Sequence, residues 1–260
     1  MLKLFNSLLV LLLAIACNVH ACTLSMQAQH YPPRFIKQIA PDGTLSWQGF
    51  NADLFSLLAE EAGCNAQIIE VPWGRALQLL AAGDLDAMSN MSHNAERESF
   101  AHFVGPHQQE RIVVLANNAR HMAVKDLASL LSSQEAISVM QGIYYGEQFE
   151  HTLAQQPNWE KRLIYVSSSQ QKLELFLAGR VHFTFEDSIN LQQLYNEGIL
   201  NPQQHKPLFT LHQNPVYFAF SKHSVSATQL QKLQQAWQRI NSDGRLQALK
   251  QHYFPQSYPL

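Results

Sequence analysis

The chain lacks the signatures of most common catalytic and nucleic-acid-binding classes. It has no Gly-x-Ser-x-Gly, no P-loop and no dinucleotide glycine pattern, so a nucleophile elbow or a nucleotide cradle has no support. Its 12 histidines are scattered, without His-x-x-x-His or Cys/His spacing, which argues against a bound metal. Basic clusters are absent too. With 18 Lys and Arg against 20 Asp and Glu the formal charge is −2, and a mildly acidic chain without basic patches is a poor nucleic-acid partner. After the N-terminal segment no stretch is long and apolar enough to cross a membrane. Cysteine is scarce, with three in the whole chain.

What is present begins with "MLKLFNSLLVLLLAIACNVHA". Lys3 supplies a positive start, Leu8 to Ala16 form an apolar run too short to span a bilayer, and Val19-His20-Ala21 fits a small-residue cleavage site. Residues 1–21 therefore read as a secretory signal, with a mature chain starting at Cys22 in the periplasm. A second reading is a lipoprotein signal with Cys17 lipidated. Alanine at position 14, where such signals usually carry leucine, favours simple cleavage. Loss of Lys3 leaves 17 Lys and Arg against 20 Asp and Glu, a formal charge of −3. The remainder, about 240 residues, suffices for one large or two small domains.

Short apolar runs alternate with amphipathic helical patterns, which predicts an α/β fold. Strands are expected at Thr23–Ala28, Ala66–Val71, Asp86–Met91, Ile112–Ala116, Ile137–Met140, Leu163–Val166, Val181–Phe185 and Val216–Phe220. Helical patterns between them end at Gly63, Gly83 and Gly179, and the C-terminal stretch reads as two helices broken at Ser242-Asp243-Gly244. Cys22 and Cys64 each open a predicted strand. If those strands are parallel neighbours, the cysteines share one end of the sheet, about 4.8 Å apart and within disulfide reach. The alternative is two separate buried thiols. The β-rich runs "RIVVLANN" and "PVYFAFSK" bracket a segment with its own strand–helix alternation. This predicts an inserted lobe of residues 116–216, a first lobe of residues 22–115 and 217–260, and a two-strand hinge beside a cleft.

Several pieces of the chain, taken in order, resemble one family. They are "HYPPRF", "GFNADLFSLLAEEAG", "VPWGRALQLLAAGDLDAMSNMSHNAERESFAHFVGP", "VKDLASL", "ISVMQG", "LELFLAGRVHFTFED" and "SDGRLQALKQHYF". Together they are similar to the bacterial extracellular solute-binding proteins of family 3, the periplasmic receptors of polar amino-acid ABC transporters. The resemblance covers nearly all of the mature chain. It implies two α/β lobes, each with a five-stranded mixed and mostly parallel sheet, closing over a small ligand. It also implies a monomer without cofactor or catalysis that hands its ligand to an inner-membrane ABC permease.

Arg97 is the first binding candidate. Asn94 reads as a helix N-cap, which sets a cation in a first turn that favours anions. The resemblance gives Arg97 the ligand's α-carboxylate, which a planar guanidinium grips with two parallel hydrogen bonds. Otherwise it is a surface arginine paired with Glu98 or Glu110. Ser89, Asn90 and Ser92 match positions lining the ligand's polar end, or are ordinary turn and capping residues. Asp187 matches the aspartate that pairs with the α-ammonium, and it also suits the N-cap of "SINLQQLY". Tyr31 and Trp73 are expected as aromatic walls, with packing as the alternative. Gly142 ends a strand where free backbone amides suit an anion. The family usually has a small Ser or Thr after this glycine. This chain has Ile143, Tyr144 and Tyr145, so the clamp there is altered and Tyr144 becomes a further candidate wall.

Two other functions share the fold. One is a ligand-presenting subunit of a chemoreceptor or sensor kinase. The other is a dehydratase, for which the sequence offers no residue set beyond the binding constellation. Glu60-Glu61 and Glu186-Asp187 are adjacent in sequence, so the members of each pair do not share a face and make poor acid/base partners.

Overall fold

The computed structural model describes residues 22–117 and 123–255. The cleavage site after Ala21 and the alternative at Cys17 lie outside the described residues. Ten strands and ten helices follow in chain order among the described residues. The first lobe opens with β1 (Cys22–Ala28), β2 (Ile36–Ile39), β3 (Leu45–Gln48), α1 (Phe50–Glu61), β4 (Cys64–Glu70), α2 (Trp73–Ala82), β5 (Ala87–Ser92), α3 (Ala95–Phe100) and β6 (Ala101–Ala116). Then come α4 (Leu127–Ser132), β7 (Ile137–Met140), α5 (Glu147–Gln155), α6 (Pro157–Glu160), β8 (Leu163–Val166), α7 (Ser169–Leu177), β9 (Phe183–Asp187) and α8 (Ser188–Asn196). The chain returns through β10 (Pro207–Ser221) and finishes with α9 (Ala227–Ser242) and α10 (Arg245–Tyr253).

One hydrogen-bonded ladder runs β4-β1-β5-β10-β6-β9-β7-β8. It contains two five-stranded halves because β6 and β10 belong to both. The outer strands pair in parallel, whereas β10 runs antiparallel to β5 and β6, and β6 antiparallel to β9. The apolar clusters divide in the same way. Residues up to Val104 and from Phe218 onward pack with α1, α2, α9 and α10, while Ile112 to Leu211 pack around Phe149, Phe176, Phe183 and Phe185. Each fully buried aromatic or leucine there contributes about 1.5–3 kcal/mol. Two lobes joined by two long strands follow from this pattern.

Local chemistry explains the element ends. The glycines singled out in the sequence terminate α1, α2 and α7. Asn94 caps α3 by accepting from the Arg97 amide at 2.9 Å, and Ser226 with Gln229 forms a capping box for α9. Cys22 and Cys64 stand in register on parallel β1 and β4 and form a disulfide, so the paired reading holds over the two-thiol one. Asp86 stands just before β5, and β9 starts at Phe183 instead of Val181.

The β2–β3 hairpin escaped the sequence reading, although Asp42-Gly43 marks its turn. Its strands are short and mostly exposed, so no apolar alternation announces them. The two crossing strands are also far longer than expected, at 16 and 15 residues. Polar residues at their middle read as loop, because the crossing has no core of its own on which to show a period.

Candidate functional site

The cleft between the lobes holds two adjoining cavities that share Met140, Ile143 and Tyr145. The smaller encloses about 100 Å³. Tyr31, Trp73, Ser89, Asn90 and Asp187 line it, together with Gln27, Gln29, Glu110 and Lys172. The larger is an open groove of about 870 Å³ lined by Arg97, Gly142, Tyr144, Asn94 and Glu150. The expected site residues thus meet at one cleft but divide between its two compartments. Ser92 lines neither cavity and contributes its backbone carbonyl.

Arg97 is held by α3 and is 5% exposed. Its Nη1 donates to the Ser92 carbonyl and its Nη2 to the Gly142 carbonyl, both at 3.0 Å. The Tyr144 ring lies 5.9 Å from the guanidinium, within cation–π range. Among the described residues no carboxylate pairs with it. The alternative of a surface arginine paired with Glu98 or Glu110 therefore gives way to a buried, unpaired cation. Burial pulls its pKa below the usual value, opposed by Glu110 and Glu96. Two of its five N–H groups serve carbonyls, so three donors remain for an acceptor in the cleft.

Gly142 plays a different part from the one expected. Its carbonyl faces the site, accepting from Arg97 at 3.0 Å and from the Trp73 indole at 3.1 Å. Its φ is +79°, and a Cβ there would stand 2.8 Å from Leu77 Cδ1. Only glycine suits both the backbone and this close approach of the lobes.

Asp187 sits at the end of β9 and caps α8, accepting from the amides of Ile189 at 2.9 Å and Asn190 at 3.3 Å. The same Oδ1 receives Arg34 Nη1 at 2.9 Å, in an ion pair whose two side chains are 0% and 2% exposed. Oδ2 is buried and makes no hydrogen bond among the described residues. Arg34 was not foreseen as a site residue. It occupies one oxygen of the carboxylate expected to receive the ligand's ammonium. Burial disfavours its charge, but Asp187, Tyr31 and Glu110 together outweigh this and raise its pKa.

Tyr31 is less a stacking wall than a hydrogen-bonding one. Its hydroxyl donates to Glu186 Oε1 at 2.8 Å across the cleft, and burial, then Glu186, push its pKa well up. Lys172 Nζ pairs with Glu186 Oε2 at 3.0 Å and donates to the Phe185 carbonyl at 2.7 Å. Asn51 on α1 orients the polar strand end, donating to Ser89 Oγ at 2.9 Å and Asn90 Oδ1 at 3.0 Å. Asn90 has a φ of +52°, which asparagine tolerates. Its backbone N–H donates to Nε2 of buried His107 at 3.4 Å, so that nitrogen is the acceptor and the proton belongs on Nδ1.

The sequence did carry faint signs of these unforeseen residues. Lys172 stands four positions before buried Phe176 on one helix face, and Glu186 lies inside the buried strand FTFED.

The sequence profile of the bacterial extracellular solute-binding proteins, family 3, matches residues 25–256. The chain belongs to this family. No curated protein sequence matches it. Solved structures share its fold at low identity. One is the substrate-binding protein of an amino acid ABC transporter, 17% identical with TM-score 0.71, covering 90% of this chain and 100% of that one. Another is a histidine kinase sensor domain similar to periplasmic binding proteins, 16% identical with TM-score 0.71, covering 92% and 98%. A third is an ancestral amino acid-binding protein, a precursor of cyclohexadienyl dehydratase, 18% identical with TM-score 0.69, covering 89% and 95%. At such identities these likenesses establish the two-lobed fold and nothing finer.

Proposed function

We propose that this protein is a periplasmic solute-binding protein that captures a polar amino acid or similar small zwitterion between its lobes. It works as a monomer, hands the ligand to an inner-membrane ABC permease and performs no chemical step. Residues 1–21 direct its export. Lobe 1 comprises residues 22–115 and 217–260, lobe 2 residues 116–216, and β6 and β10 carry the hinge.

One observation supports this most. Arg97 is a buried guanidinium in the cleft with three N–H donors unassigned and, among the described residues, no carboxylate partner. A charge removed from water is costly unless it meets an opposite charge, and a ligand carboxylate provides one. Arg97, Tyr31, Trp73, Ser89, Asn90, Asp187, Gly142 and Tyr144 form the binding set in this reading, with Ser92 acting through its carbonyl.

The test is calorimetry of wild type and Arg97→Ala against a panel of amino acids. Arg97→Ala should weaken binding of the best ligand by about 2–5 kcal/mol, as for a buried ion pair. Unchanged affinity sinks the assignment of Arg97.

A further inference from the structure

We propose that Glu110 is the carboxylate that receives a cationic nitrogen of the ligand, sharing it with Asp187 Oδ2 inside the smaller cavity. This rests on the cleft-binding reading above and names the chemistry at its second end.

Glu110 lies on β6 opposite Asn214 of β10, where the strands pass between the lobes. It lines the smaller cavity together with Asp187. Among the described residues its side chain makes no hydrogen bond and no ion pair. The nearby cations are already engaged. Arg34 serves Asp187 Oδ1 and Gln108. Lys172 serves Glu186 and the Phe185 carbonyl, and Arg97 serves two carbonyls. Three carboxylates, Glu110, Glu186 and Asp187, thus face two cations that pair with carboxylates. One carboxyl group is left over at the cavity wall, in the same cavity as Asp187, whose buried Oδ2 makes no hydrogen bond among the described residues. Arg34 holds the other Asp187 oxygen, which moves the cationic end of the ligand toward Glu110.

This arrangement couples binding to a proton. Burial holds the Glu110 carboxyl up at about 8, and repulsion from Asp187 and Glu186 adds to burial while Arg34 and Arg97 oppose it. Tyr145 lines the same cavity, and burial, helped by the Glu110 charge, pushes its hydroxyl's pKa up. Near neutral pH the carboxyl is mostly protonated. A cation favours the ionised form, so its arrival expels the proton, and affinity rises with pH until the group is ionised beforehand. A neutral acceptor in the same place would take a hydrogen bond from the protonated carboxyl, and its affinity would fall with pH.

The test is calorimetry of the full mature chain with L-arginine, L-lysine, L-glutamine, L-glutamate and 1,4-diaminobutane, at about pH 6, 7 and 8, in two buffers of different ionisation enthalpy. The best binder should gain about tenfold in affinity from pH 6 to 7, as one linked proton requires, with a buffer-dependent heat that reports proton release. Glu110→Gln should bind with wild-type pH 6 affinity at every pH and release no proton. The proposal is overturned if wild-type affinity is flat or falls with pH, or if Glu110→Gln keeps the slope; cleft binding itself then stands. If none of the probes binds wild type at any pH, both this proposal and the cleft-binding reading fall.

Discussion

Removing Arg34 is the sharpest perturbation of the cleft, because it exposes how the internal charges are balanced. The Arg34–Asp187 pair is buried at both ends, with Nη1 2.9 Å from Oδ1. Breaking such a pair from one side leaves an uncompensated buried charge and costs about 3–5 kcal/mol. Arg34→Met also deprives Gln108 Oε1 of its 3.2 Å donor, adding about 1 kcal/mol. Asp187→Asn isolates Arg34 instead, at a similar cost of about 3–5 kcal/mol. It retains the cap of α8, since asparagine caps as well as aspartate. The double variant removes both charges and should cost less than the two singles together. The coupling should be at least about 2 kcal/mol, near the upper range for directly contacting residues. Urea unfolding followed by tryptophan fluorescence and circular dichroism measures all four proteins. Single-variant costs that add within about 0.5 kcal/mol would refute the claim that the pair is a mutually dependent buried unit.

Two further perturbations concern stability. The disulfide closes a loop with a sequence separation of 42. Loop-closure entropy then gives about 4 kcal/mol, and reduction or Cys22→Ser with Cys64→Ser should lower Tm by about 10 °C, read by a thermal melt with and without reductant. His107 is buried against Phe50 and Phe218, and burial first, then Arg34, pull its pKa from 6.5 down to about 3. The unfolded chain therefore takes up that proton at higher pH than the folded one. His107's contribution is complete above about pH 6.5 and is lost progressively as pH falls toward 3, amounting to a few kcal/mol at about 1.4 kcal/mol per unit. His107→Leu should flatten the acid limb of a stability–pH curve, and an unchanged limb would remove His107 as its cause.

What the sequence revealed follows from the range over which its signals act. The Asn94 cap, the helix ends and the tandem C-terminal helices depend on residues a few positions apart, and all were readable. The disulfide needed one further step, the parallel pairing of β1 with β4, and the cysteine positions at two strand starts carried it. Arg97 stands out in the sequence because a cation in a first helical turn runs against local electrostatics. Arg34, Lys172 and Glu110 do not, because their meaning depends on partners or surroundings brought together only by the fold. Arg34 is 153 residues from Asp187, and Tyr31 is 155 from Glu186. Local pattern cannot tell such a charge from a solvated one. The Gly142 carbonyl was misjudged for a related reason. A strand-end glycine suggests an amide donor, whereas its positive φ aims the carbonyl at Arg97 and Trp73.

In the proposed reading, the charges a ligand brings decide how far it adds to closure of the lobes. Protein groups already bridge the cleft, from Gln29 to Ser167, Tyr31 to Glu186, Arg34 to Asp187, and Trp73 and Arg97 to Gly142. These bridges favour the closed arrangement whatever the ligand. A ligand shifts the balance only by binding the closed form better than the open one. Arg97 reaches Gly142 with one N–H and keeps three donors unassigned, so a ligand carboxylate adds to that bridge without displacing it. That carboxylate, however, meets Arg97 on the first lobe in either form and discriminates little between them. In the proposed reading the discriminating contact is the second one, to Asp187 on β9, which lines the smaller cavity with Glu110. A simple carboxylate should therefore bind weakly without tightening the cleft, whereas a compound of similar size with an added cationic nitrogen should bind more tightly and compact the protein. Small-angle scattering with L-glutamine, compared with its 2-oxo analogue that lacks the ammonium, separates the two. Equal compaction by both would mean that the anion end alone drives closure.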